Sequence, residues 1–160
     1  MNFARFAPFA IAAAAFSVAA CSDGGDASEA AADANPTGLE VSDARLVLPA
    51  VSGNPAAIYF EVTNAGERNV AIRSASVEGA SSAQIHDTTE WSGEMVMGEM
   101  GPLTISSGDS ASFEPGGKHV MAFDLDPALE AGGTTAMTLT VAGGKTMTSD
   151  VEIVAAGDDR

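Results

Sequence analysis

The chain carries a single cysteine, Cys21, in 160 residues. No disulfide can form within it, and an unpaired cysteine in an exported protein calls for another use. Basic residues are also scarce, with 7 Lys and Arg against 22 Asp and Glu, for a net charge of -15. So few cations assemble no basic patch, which excludes nucleic acid as a partner. No helical periodicity of useful length follows residue 21, so an all-helical domain is excluded. The chain has no Gly-x-Ser-x-Gly elbow, and beyond residue 21 it has no cysteine nucleophile. Its two histidines have no evident serine or carboxylate partner in sequence. Nucleophilic catalysis lacks its usual parts, and the chain reads as a binding protein, not an enzyme.

What is present begins with a leader. Residues 1–21 place one basic residue, Arg5, before an apolar run from Phe6 to Ala20. The run is too short for a membrane span and ends in small residues, the layout of a secretory signal peptide. Val18-Ala19-Ala20-Cys21 resembles the lipobox of bacterial lipoproteins, in which the cysteine becomes the first mature residue and takes up the lipid. A thiolate is the natural nucleophile for that step. The resemblance implies lipidation at Cys21 and membrane association through the lipid anchor alone. Ser22 stands where lipoprotein sorting signals place an aspartate for inner-membrane retention, which favours a periplasmic location on the outer membrane. Residues 22–37 are small and acidic, with nothing large to bury, and are expected to be a flexible tether.

From Leu39 the texture changes to short runs rich in Val, Ile, Thr and Phe, divided by Gly, Asn, Pro and Asp. In AAIYFEVTN, alternation puts Ile58, Phe60 and Val62 on one face of a strand. Asn64-Ala65-Gly66 then reads as a turn. In NVAIRSASVE, Val70 and Ile72 fall out of phase with Ala75 and Val77, which predicts a bulge or bend. Many short strands at this spacing predict an all-β antiparallel sandwich or barrel over residues 38–155, with a short tail at 156–160.

Two histidines and seven methionines carry the chemistry. Residues i and i+2 of a strand share a face, so His119 and Met121 project side by side. His86 and Met97 precede them, and the constellation is His86-x10-Met97-x21-His119-x-Met121. With AAIYFEVTNAGERN, QIHDTTEWSGEMVMGEM and EPGGKHVMAFDL around it, this spacing resembles the periplasmic copper(I) chaperones of the PCuAC type. The resemblance covers roughly Leu39 to Val154. It implies a cupredoxin-like Greek-key β-sandwich that holds one Cu(I) per chain through His86, Met97, His119 and Met121. It also implies delivery to a copper-receiving protein, the copper site of a cytochrome c oxidase subunit or its assembly factor. Sequestration of copper for tolerance, without a recipient, is the alternative that the same ligands would serve.

The donor chemistry agrees on its own terms. Thioether sulfur is soft and selects Cu(I), imidazole suits copper in either state, and zinc seldom takes methionine. All four donors bind as neutral groups, and none is a thiolate at risk of oxidation. A blue-copper electron-transfer site would need a cysteine thiolate, which the domain lacks. Met95 and Met100 flank Met97 and read as hydrophobic rim or as exchange ligands. Trp91 is the lone tryptophan, placed to shield the segment beside His86 or to sit in a turn. The tail AAGDDR has no His or Met, so no second copper site is expected there.

Overall fold

Alternation in the sequence becomes alternation in burial. In the computed structural model, which describes residues 35–158, ten strands form. They are β1 (Leu39–Val47), β2 (Ala56–Asn64), β3 (Val70–Val77), β4 (Ala80–Trp91), β5 (Glu94–Glu99), β6 (Leu103–Ile105), β7 (Ser110–Phe113), β8 (His119–Leu125), β9 (Thr134–Val141) and β10 (Thr146–Val154). No helix occurs among the described residues. The leader with Cys21, the tether through residue 34 and the last two residues lie outside them, as does the Trp91 side chain. Asn35 to Thr37 are described and depart from the tether expectation. Asn35 Oδ1 accepts from the Thr37 hydroxyl at 2.6 Å, and Thr37 is buried.

Strand β2 buries Ala56, Ile58, Phe60 and Val62, as its period-two pattern requires. In β3 the inward set shifts from Ile72 to Ala75 and Val77, and the register against β9 slips between Ile72 and Ser74. The bend expected from the sequence is this irregularity. Leu39, Leu46, Ile58, Val62, Ile72, Val120, Met137, Leu139, Val151 and Ile153 form the centre of one core. Phe60 and Phe113 stack within it, 4.2 Å between ring centroids.

Hydrogen bonding runs through the order β5-β4-β8-β2-β1-β10-β9-β3-β6, with β7 paired to β2 beside β8. The ribbon folds over so that β3 lies against β4, which closes the two layers around the core. The expected cupredoxin-like sandwich is thereby formed. Among the described residues every pairing is antiparallel but one: β1 and β10 run parallel, Arg45 opposite Glu152 and Val47 opposite Val154. The sheet is mixed for that reason.

Asn64 is more than the turn residue its sequence suggests. It ends β2 with no exposed surface. Its Nδ2 donates to Arg68 O (2.8 Å) and Ile105 O (3.0 Å), and its Oδ1 accepts from Gly66 N (3.1 Å). One amide thus ties β2, the turn after it and β6 together, which is how a buried polar group is tolerated.

Candidate metal centre

The site grows out of a mismatch in strand length. β4 has 12 residues, and β8 accompanies only its first part, from Ala80 opposite Leu125 to His86 opposite His119. Because β8 begins at His119, β4 continues from there with β5 alone, His86 opposite Glu99 through Trp91 opposite Glu94. The β4–β5 hairpin is therefore a two-stranded arm, and His86 stands at its root. Its tip is the two-residue turn Ser92-Gly93, with φ of 55° and 83°. Positive φ at both positions is the turn geometry that matches the twist of a hairpin. Every residue of β5 is exposed.

His86 and His119 are direct cross-strand partners, 5.9 Å between ring centroids. Cross-strand partners share a sheet face. Their rings therefore lie side by side, and Glu99 flanks His86 on the arm side. His119 is buried, and its Nδ1–H donates to Gly117 O at 2.9 Å. A carbonyl can only accept, so in the neutral ring Nε2 carries a bare lone pair. That lone pair faces Met97 Sδ at 3.1 Å. Met97 comes from the arm, opposite Thr88, and keeps 52% of its surface exposed. Nε2 of His86 contacts Gln84 Oε1 at 3.2 Å, while its Nδ1 is buried without a hydrogen-bond partner. Met121 is half-buried two residues along β8 on the His119 face, between Ala57 of β2 and Gln84 of β4.

The structure thus brings His86, His119 and Met97 together and sets Met121 beside them. The flanking methionines separate. Met95 is 64% exposed on the outer arm, on the same face as Met97, whereas Met100 packs against the core. Tyr59 lies on the other side of His119, 6.4 Å between centroids, with the Arg45 guanidinium 5.3 Å from its ring centre. Gln84 and Tyr59 were not singled out in the sequence. Gln84 was within reach of period two, because it stands at i-2 from His86 and must share its face. Among the described residues no group of three or more His, Cys, Asp or Glu gathers. The donors here are imidazole and thioether, a set that suits soft cations.

Fold and site define a small cupredoxin-like β-sandwich that presents paired imidazoles and a thioether where a hairpin arm leaves the sheet. The chain belongs to the LpqE-like family, described as "Putative lipoprotein LpqE-like", which matches residues 39–153. A curated relative, "Putative lipoprotein Lxx21020" of Leifsonia xyli subsp. xyli (strain CTCB07), is 36% identical over 110 residues, 68% of this chain and 65% of that protein. The chain therefore spans just under two thirds of that relative's length. The solution structure of CuI-DR1885 from Deinococcus radiodurans is similar at TM-score 0.58 and 26% identity, covering 80% of this chain and 85% of that one. The apo PCuAC domain from PmoF1 is similar at TM-score 0.60 and 25% identity, covering 74% and 94%. The PCuAC resemblance read from the sequence and the fold it implied both stand.

Proposed function

We propose that this chain binds one Cu(I) through His86, Met97, His119 and Met121 and carries it outside the cytoplasm to a receiving protein. The observation that carries this reading is the approach of His119 Nε2 to Met97 Sδ at 3.1 Å. Two lone pairs aimed at each other repel, and a shared soft cation turns that repulsion into two bonds. The His86 ring lies 5.9 Å from that of His119, centroid to centroid, and its buried, unpartnered Nδ1 is available as a third donor. An orphaned buried acceptor is costly unless something binds it. Thioether and neutral imidazole favour Cu(I) over hard or strongly charge-seeking ions. Without a thiolate, the site captures copper and still yields it to a stronger site. One solved relative is named for CuI and another for the PCuAC domain, which supports the same cargo.

The chain acts as a carrier, not a catalyst. The family names support a lipoprotein. The lipid site we propose is Cys21, and the location we propose is the periplasm, on the outer membrane, from the lipobox resemblance and Ser22. The copper site of cytochrome c oxidase is the recipient we propose, on the strength of the PCuAC resemblance.

The test is an anaerobic Cu(I) titration of residues 22–160 against a coloured Cu(I) chelator. One tight equivalent is expected, weakened in Met97→Ala and Met121→Ala. A wild type that fails to compete with the chelator, or variants that bind as well as it does, would overturn the ligand set. A second tight equivalent by equilibrium dialysis would overturn the stoichiometry.

The arm offers a separate check. Gly93 has φ of 83° and nothing within 4 Å of where a Cβ would stand, so a substitution there acts through the backbone alone. Left-handed geometry costs an L-residue about 1–2 kcal/mol. Gly93→Val should distort the hairpin and lower Cu(I) affinity by about tenfold, since about 1.4 kcal/mol is one decade in binding. The urea midpoint of the metal-free domain should scarcely move, because none of the arm's described side chains is among the buried core. An unchanged affinity would mean that Met97 reaches the metal without the arm's register.

A further inference from the structure

The two histidines are held by different atoms. His119 gives its Nδ1–H to a backbone carbonyl, Gly117 O, so its free nitrogen is Nε2. His86 has its Nε2 at 3.2 Å from the side-chain oxygen of Gln84, and the unpartnered nitrogen is Nδ1. An amide oxygen only accepts, so Nε2 of His86 must be the protonated nitrogen and Nδ1 the bare one. Turning the Gln84 amide round would make its NH2 the donor and strand an N–H at buried Nδ1. A buried N–H without an acceptor is the rarer orphan in folded proteins. The arrangement with a bare Nδ1 is therefore the one this packing favours.

Gln84 is well placed for this. It stands two residues before His86 on the same face of β4, directly opposite Met121. Its side chain is exposed and outside the core, so its replacement does not threaten the fold. The carbonyl that orients His119 belongs to the backbone and survives any substitution of Gly117, whereas the group that orients His86 can be removed.

We infer that Gln84 is a positioning residue that holds the His86 ring with Nδ1 toward the metal, so that copper is bound by Nδ1 of one histidine and Nε2 of the other. This rests on the Cu(I) site proposed above. Groups that orient a ligating imidazole typically contribute about 10–100-fold to metal affinity. Gln84 has one neutral hydrogen bond and an exposed position, so the lower end of that range applies.

The experiment is 15N NMR of the imidazole nitrogens in residues 22–160, metal-free and with one equivalent of Cu(I), which is diamagnetic. Both samples are held well above the ordinary titration range of histidine. In the metal-free protein His86 should carry its proton on Nε2 and His119 on Nδ1. On loading, the shift change should fall on Nδ1 of His86 and Nε2 of His119. In Gln84→Leu the His86 ring should divide between its two nitrogens, with affinity down about tenfold. Gln84→Glu retains an acceptor oxygen and should restore both the wild-type nitrogen and most of the affinity. Tight Cu(I) binding with His86 coordinated through Nε2 overturns the inference and leaves the site standing. So does a Leu variant with unchanged nitrogen and affinity. Failure of the wild type to hold Cu(I) at all overturns both readings.

Discussion

His119→Asn should weaken Cu(I) binding by more than about 100-fold, beyond the range for loss of a group that merely orients a ligand. The asparagine amide can still donate toward Gly117 O, as Nδ1–H does at 2.9 Å, but it puts no lone pair where Nε2 faces Met97. The hydrogen bond that a plain truncation would lose is worth about 1 kcal/mol, so the metal-free fold should remain within about that margin of wild type. Chelator competition measures the first quantity and urea unfolding of the metal-free protein the second. If both fall together, His119 is a structural residue and its approach to Met97 is packing. If affinity collapses alone, the 3.1 Å contact is a metal seat.

Asn64→Ala should destabilise the domain by about 3 kcal/mol without touching the metal centre. The amide makes three hydrogen bonds, and its partner Ile105 O is buried, so water cannot replace it. Leaving one buried carbonyl unsatisfied costs about 1–3 kcal/mol, and the lost bond to Gly66 N and the vacated volume add to it. With a urea slope of about 1–3 kcal/mol per molar, the midpoint should drop by about 1–3 M. A drop of less than a few tenths molar would show that the turn after β2 and strand β6 hold without the amide. Cu(I) affinity measured well below the new midpoint should match wild type, because Asn64 lies at the opposite end of β2 from Ala57, the strand neighbour of Met121.

Much of the fold is legible where one residue informs its neighbours. The alternation of Ile58, Phe60 and Val62, the slip after Ile72, and the shared face of His119 and Met121 all follow from period two. Features that depend on distant pairing are not legible. Nothing near Arg45 announces that its strand runs parallel to the one holding Glu152. Nothing near His86 announces that β8 stops beside it and leaves the hairpin to go on alone. The PCuAC resemblance implies Met97 as a ligand, but its half-exposed place on an arm follows from that end point. Asn64 read as a turn residue because polar residues at strand ends usually are. Gln84 drew no notice because glutamine in a strand usually faces water, and its role appears only once the orphaned Nδ1 of His86 is seen.

The parallel pair has a bearing on how the domain comes into being. β1 is made first and β10 last, and they lie side by side in the middle of the ribbon. Joining them closes a loop that encompasses nearly the whole domain, and such long-range contacts slow folding. A growing chain holds β1 and β2 long before the strand that links them to β9 exists. Until residues 146–154 emerge, the two halves of the ribbon lack the strand pairing that makes them one sheet. The sheet is therefore completed by the last strand to be synthesised, and its central seam is the part of the fold that depends on the whole domain being present.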